Sequence, residues 1–176
     1  MFYYASSFNQ PLDNWNTSNI GYMVNMFAYS GFNQPINNWD VSNVWNMQAM
    51  FLMSPFNQPI GNWDVSNVSV MTQLFRGSPF NQNISTWNTA NVNNMHQMFR
   101  DTPFDQPIGN WNVSSVYTMK EMFYNTPFNQ TLNNWNVSNV NNMNSMFFGI
   151  SEERIFASFK MFFGVFIFLV LVFRKE

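Results

Sequence analysis

The chain has 176 residues and a formal net charge of −2, from seven Lys or Arg and nine Asp or Glu residues. So few basic side chains argue against nucleic acid as a partner, because such a partner requires several neutralised phosphates. Cysteine is absent, which excludes disulfides, thiol catalysis and thiolate metal sites. A hydrophobic content of 46% nevertheless suffices for a folded core.

Residues 1–7 begin inside a repeating unit. Met1 and Phe2 match Met26 and Phe27, so we expect residues 1–7 to be the end of a truncated preceding repeat. This stretch has neither the charged region nor the apolar run of a signal peptide. The pattern therefore favours a fragment, or a mis-started open reading frame, of a longer array.

Residues 8–148 are six copies of a 24-residue unit, F-N-Q-P-[IL]-x-N-W-[ND]-V-S-N-V-x-x-M-x-x-M-F-x-x-x-P. Constant spacing of three large side chains predicts a stack in which each unit packs on the next. A Gln column running from Gln10 to Gln130 predicts a ladder of side-chain amides between units. The predicted repeat core is represented by Phe32, Trp39, Met47, Phe56, Trp63, Met71, Phe104, Trp111 and Met119.

Each unit divides into two halves with different periodicity. Val44, Met47, Met50 and Phe51 in the second copy are spaced as one face of a helix. The first half, Ile36-x-x-Trp39-x-Val41, ends in the alternation of a short strand. The predicted fold class is therefore α/β, a leucine-rich-repeat-like solenoid of six units, each with one short strand and one short helix.

The same stretch of the second copy carries a resemblance. From Ile36 through Trp39-x-Val41-Ser42-Asn43-Val44 to Met47, Met50 and Phe51 it resembles the leucine-rich repeats of BspA-like surface proteins. The phrase F-N-Q-P-I-x-N-W-D-V-S-N-V is similar to a mycoplasma-type repeat family of unknown function. The resemblance covers residues 8 to about 148. It implies a cell-surface protein active in adhesion or host-partner binding, and it carries over no catalytic residue.

The end of the chain differs from the repeats. Residues 149–154 are a predicted linker, and 155–173 a predicted hydrophobic helix that is interrupted by Lys160. Its length fits a transmembrane anchor, and the basic tail at 174–176 fits the cytoplasmic side. Two alternatives remain open: a hydrophobic helix that caps the last repeat, or a degenerate, frame-shifted tail.

No catalytic or cofactor-binding constellation is evident. His96 is the sole histidine and has no cysteine or second histidine to form a metal site or a catalytic triad. Asp40 and Asp64 share a column and suggest a calcium site, but the other four copies carry Asn there. We therefore predict no metal, no cofactor and no enzyme activity.

Two surfaces are candidates for binding a partner. Residues that flank each Trp on the predicted strand form a polar, regular face that suits a repetitive or glycan-like partner. The second surface lies on the predicted helix side, where Tyr22, Trp45, His96, Tyr117 and the Lys120-Glu121 pair vary between copies. The first is favoured because solenoids bind on concave faces. Its representatives are Asn38, Asp40, Asn62, Asp64, Asn110 and Asn112.

These observations lead to a functional hypothesis. The chain is expected to be a non-enzymatic repeat protein for adhesion or partner recognition, at the cell surface or membrane with its repeats outside. The expected partner is a protein or glycan on a host or neighbouring cell, and no nucleic acid is expected. The alternative is a structural spacer or an intracellular scaffold without a dedicated ligand.

Overall fold

A computed structural model describes residues 1–150 of the chain. Within these residues each 24-residue unit forms one coil, and successive coils stack in parallel. The described range contains no helix and no strand longer than a single bridging residue. One such residue per coil pairs with its equivalent in the next coil, in the order Tyr22, Asn46, Val70, Asn94, Thr118 and Asn142.

The first half of each coil consists of two tight turns. In the second coil the Trp39 amide donates to the Ile36 carbonyl at 3.1 Å, and the Val44 amide donates to the Val41 carbonyl at 2.9 Å. The predicted strand over Ile36–Val41 is therefore wrong. Asn and Asp side chains favour turns by bonding to backbone two residues ahead, and Asp40 accepts the Ser42 amide in this way. The alternation of Trp39 and Val41 is too short to outweigh that preference.

The second half of each coil is a run of consecutive turns, which we call the turn run (residues 47–54 in the second coil and their equivalents). Amides at Met50 and Ser54 close turns on carbonyls three residues back. Amides at alternate positions, including Met47 and Phe51, instead donate to the next coil, at Val70 and Leu74. Of the backbone bonds donated by residues 47–54, three therefore close turns within the coil and four join it to the next coil.

The helix predicted for the second half of each coil is also wrong. Ala49 and Met53 have φ of 53° and 52°, in the left-handed region that interrupts a right-handed helix. A spacing of three between Val44, Met47 and Met50 fits a chain of turns as well as a helical face. A helix of two turns would be marginal alone, and beyond its first turn it would use its amides within itself rather than between coils. The α/β class with a leucine-rich-repeat-like strand and helix in each unit is therefore incorrect.

Aromatic columns fill the core. Phe51 lies between Phe27 and Phe75, with ring centroids 5.8 Å from each, and Phe56, the first residue of the next coil, stacks on it at 3.8 Å. Each predicted core residue is buried, with at most 4% of its surface exposed. Those residues are Phe32, Trp39, Met47, Phe56, Trp63, Met71, Phe104, Trp111 and Met119.

Residues 1–7 continue the stack at its first end. Amides of Phe2 and Tyr4 donate to the carbonyls of Met26 and Ala28, each at 2.9 Å, as equivalent amides do between complete coils. At the other end, the predicted hydrophobic helix at 155–173 and the basic tail at 174–176 lie outside the described residues, as does most of the predicted linker. Residues 1–150 contain no helix suited to crossing a membrane.

Candidate recognition surfaces

Side chains, rather than backbone groups, join the first halves of successive coils. The indole nitrogen of Trp39 donates to the Leu12 carbonyl at 2.9 Å, and that of Trp63 donates to the Ile36 carbonyl at 3.1 Å. The same bond recurs at Trp87, Trp111 and Trp135. Trp in this column is therefore both a core residue and a bond to the preceding coil.

A second ladder lies at the corner that opens each coil. The Asn57 side-chain oxygen accepts the Asn81 amide and the Gln82 Nε2, both at 3.0 Å. Asp105 takes the Asn place in the fifth coil, where its carboxylate oxygen accepts the Asn129 amide at 2.8 Å. The predicted amide ladder is thus formed by backbone and side-chain donors together, and it requires an acceptor oxygen rather than an amide as such.

The predicted binding residues lie on the exposed surface of this half, which we call the ladder face. All six, Asn38, Asp40, Asn62, Asp64, Asn110 and Asn112, are exposed. Three of them also bond to the coil before them. Asn38, Asn62 and Asn110 donate from Nδ2 to the carbonyls of Asp13, Asn37 and Ser85 at 2.6–2.8 Å. Side chains of this column therefore have a structural role beside any role in binding.

The carboxylates of the ladder face are held by serine. The hydroxyl and amide of Ser42 hold the pKa of Asp40 below its usual value. Ser66 lowers the pKa of Asp64 in the same way, while the charge on Asp40 raises it somewhat. The two carboxylates therefore interact across adjacent coils and stay ionised at neutral pH. Residues 1–150 bring no group of three or more His, Asp or Glu side chains together for a metal ion.

Open depressions flank the ladder face near both ends of the stack. Asn38 and Asn110 of the predicted face each line one of them. The first depression is lined by Pro11, Asp13, Pro35, Asn37 and Asn38. The second is lined by Ser85, Pro107, Gly109, Asn110, Gln130, Thr131, Asn133 and Asn134.

Exposed side chains of the turn run and of the two residues before it form a different surface, which we call the variable face. Large aromatic side chains lie open to solvent there: Tyr22 is 67% exposed, Trp45 52% and Tyr117 46%. The Trp45 ring lies against the backbone at Gly21. Other coils place Ser69, Asn93 and Asn141 in the Trp45 column, so the aromatic side chain is not required for stacking.

Charged side chains cluster farther along the variable face. Glu121 accepts Gln97 Nε2 at 2.7 Å and also binds the Arg100 guanidinium, which lies 4.3 Å from the Tyr124 ring centroid. Gln97 in turn accepts the Arg76 guanidinium at 3.0 Å. The sequence analysis named Glu121 but missed Arg76, Gln97 and Arg100. Arg76 and Arg100 are 24 residues apart in a column that is otherwise uncharged, and that was the available signal.

His96 lies beside this cluster and is half-buried. Its Nδ1 is 3.1 Å from the Lys120 carbonyl oxygen. Burial lowers the pKa of His96, and the positive charges of Lys120, Arg76 and Arg100 lower it further, although the bond to the Lys120 carbonyl opposes this. His96 is therefore neutral at neutral pH and lies in a positive field, with Lys120 and Glu121 of the predicted second surface next to it.

These features define a class: a repeat protein of stacked 24-residue coils with one face of side-chain ladders and one face of variable side chains. The chain belongs to the family described as Mycoplasma protein of unknown function, DUF285, whose profile matches residues 1–79 and 52–155. The two matched ranges overlap at residues 52–79. Neither a curated protein nor a solved structure shows a significant match. The predicted mycoplasma repeat family is thus confirmed, and the BspA-like leucine-rich-repeat assignment is not.

Proposed function

We propose that the chain is a non-enzymatic recognition protein, displayed at a cell surface, that binds a protein or glycan partner in adhesion. The observation that supports it is the exposure of Tyr22, Trp45 and Tyr117 on the variable face. Exposed Tyr and Trp side chains are enriched where proteins bind partners, and here they contribute little to the stack. Recognition through these side chains leaves the ladders undisturbed.

Absence of enzyme activity is part of the same proposal. His96 is the only histidine in the chain, and cationic side chains rather than a carboxylate act on it. In a catalytic triad a carboxylate orients the His ring toward the nucleophile, and among the described residues no carboxylate acts on His96. The Lys120 carbonyl beside Nδ1 supports a structural role for His96 instead.

The repeat supplies its own control substitutions for a binding test. Trp45→Ser and Tyr117→Asn place on the variable face residues that other coils already carry in that column, at Ser69 and Asn93. Asp40→Asn and Asp64→Asn do the same on the ladder face, where Asn88 occupies the column. All four variants should therefore fold normally.

The test applies the full chain to a glycan array and to a panel of animal cells. We expect binding that Trp45→Ser and Tyr117→Asn abolish and the two Asp→Asn variants retain. Loss only with the Asp→Asn variants would place binding on the ladder face, the surface first predicted from the sequence, and would refute the variable-face site. Absence of binding to every array and cell type would refute recognition altogether.

A structural spacer is the second candidate, and one observation favours it. The side chains of Asn38, Asn62 and Asn110 bond to the preceding coils, so the regular amide surface helps to hold the array together along its length. Limited proteolysis of intact cells that produce the chain separates the two candidates. Display predicts cleavage of the repeats from outside, whereas protection until the cells are lysed would indicate an intracellular scaffold.

A further inference from the structure

Positive charge within residues 1–150 is confined to the variable face. Arg76, Arg100 and Lys120 are the only Lys or Arg side chains of this range, and they lie in three consecutive coils. Asp13, Asp40, Asp64 and Asp105 all lie in the first halves of their coils. The stack is therefore polarised across its width although the chain as a whole carries a net negative charge.

The three cations are not equally compensated. Arg100 forms ion pairs with Asp101 and Glu121, and Lys120 Nζ lies 3.7 Å from the Glu121 carboxylate. Arg76 contacts the neutral Gln97 side chain, and no carboxylate of the described range lies within ion-pair distance of it. The guanidinium of Arg76 thus retains its capacity for a bidentate bond to an anionic oxygen pair.

An apolar strip leads along the stack to Arg76. Tyr4 and Tyr29 stack in parallel with ring centroids 4.6 Å apart, and Tyr4 is 62% exposed. Met53, 52% exposed, follows in the same column, and its side chain occupies the space where a Cβ on Gly77 would lie. Gly77 is the next residue after Arg76. Exposed aromatic and thioether surface on three successive layers of the stack therefore reaches Gly77 and the backbone of Arg76, whose carbonyl accepts the Met53 amide at 2.8 Å.

We propose that this surface, from Tyr4 through Tyr29 and Met53 to Arg76, binds an acidic segment of a partner protein. A carboxylate of the segment pairs with Arg76, and apolar side chains on one side of that carboxylate pack on Met53 and Tyr29. Charge complementarity selects an anionic partner, and the adjoining apolar strip selects a protein over a nucleic acid. A nucleic acid would require several phosphate contacts, and one uncompensated cation provides too few.

This inference rests on the proposed recognition function and names the chemistry of one partner. It also uses residues that the repeat replaces elsewhere. Leu52 stands in the Arg76 column and Gly77 stands in the Met53 column. Arg76→Leu and Met53→Gly therefore introduce residues that the fold already accommodates at equivalent positions. Asp40→Asn on the ladder face is the matched control.

The experiment selects a library of random dodecapeptides displayed on phage against the immobilised full chain. We expect enriched peptides that carry Asp or Glu beside aliphatic or aromatic residues. The best peptide, labelled with fluorescein, is then titrated in fluorescence anisotropy. Arg76→Leu should weaken its binding about tenfold or more, as loss of a hydrogen-bonded charge pair does. Met53→Gly should weaken it by a smaller factor, and Asp40→Asn should leave it unchanged.

Three results would overturn the inference. They are the failure of any peptide to enrich, enriched peptides without a carboxylate, and equal binding to the parent chain and Arg76→Leu. A labelled single-stranded oligonucleotide that binds the parent chain but not Arg76→Leu would show that the partner class is wrong. If one of these results occurs while the chain still binds cells or glycans, this inference fails and the proposed function stands.

Discussion

The two halves of each coil bond to the neighbouring coils through different atoms. In the first half side chains make the bonds between coils, as Trp63 does with its indole nitrogen and Asn57 with its amide oxygen. In the turn run the backbone makes them, as the Met47 amide does with the Val70 carbonyl. Residue identity is nearly constant where side chains bond. In the turn run the buried donors Met47 and Phe51 are constant as well, but the donor positions of Ala49 and Met53 vary between coils. Freedom to vary therefore lies on the variable face, which suits that face for binding.

Removal of a core ring should have the largest effect. Phe75 is fully buried between Phe51 and Phe99, so Phe75→Ala should lower the free energy of unfolding by about 3–5 kcal/mol. Tyr22→Asn, on the variable face, should change it by less than about 0.5 kcal/mol. Urea unfolding of both variants measures the contrast, and equal losses would show that the two kinds of column do not differ.

The indole bond should come next. Trp63→Phe keeps an aromatic ring in the core but removes one of the two donors to the Ile36 carbonyl, which retains the Trp39 amide. The lost bond and the unfilled part of the indole volume together should cost about 1–3 kcal/mol. Trp45→Phe alters an exposed indole and should cost less than about 0.5 kcal/mol. If the two variants unfold at the same urea concentration, the Trp column serves packing alone.

The corner ladder distinguishes an acceptor oxygen from a polar side chain in general. Asn57→Leu should cost about 1–2 kcal/mol, because the Asn81 amide loses its acceptor and the Gln82 side chain keeps only the Asn57 backbone carbonyl. Asn57→Asp keeps that oxygen and copies Asp105, so it should change stability by about 0.5 kcal/mol or less. Thermal unfolding at neutral pH would contradict this if Asp proved as harmful as Leu.

The smallest net change is expected for Ala49→Gly in the turn run. Ala28 and Ala49 are both buried, but only Ala49 has a left-handed φ. Relief of that conformation is worth about 1–2 kcal/mol, so Ala49→Gly should be less destabilising than Ala28→Gly by about that amount. Both variants lose one buried methyl group, and the difference between their unfolding free energies isolates the backbone term. No difference would exclude the left-handed conformation at Ala49.

Much of the architecture was predictable from the sequence, and the local conformation was not. Constant spacing of Phe, Trp and Met predicted stacked units and the core, because identical residues in phase can bury one another only by stacking. The helix over Val44–Phe51 was wrong because turns closed at three residues share the spacing of a helical face. The left-handed φ of Ala49 excludes a helix there, and the identity of an Ala residue does not indicate that conformation.

Prediction of the candidate surfaces was similarly divided. Trp45 and Tyr117 were recognisable as side chains that depart from their column. Arg76 was not recognised, because its importance depends on the lack of a carboxylate neighbour, which only the contacts of Gln97 and Arg100 reveal. Ladder-face residues were recognisable as polar, but their bonds to adjacent coils required the stacking geometry.

The hydrogen bond of the Met47 amide tests the account most directly, because its partner defines the turn run. Scalar coupling across hydrogen bonds, measured by NMR on the isotopically labelled chain, identifies the carbonyl that accepts each amide. The structure predicts coupling between the Met47 nitrogen and the Val70 carbonyl carbon of the next coil. Coupling to the Asn43 carbonyl carbon, four residues back, would show a helix in its place and would contradict the account.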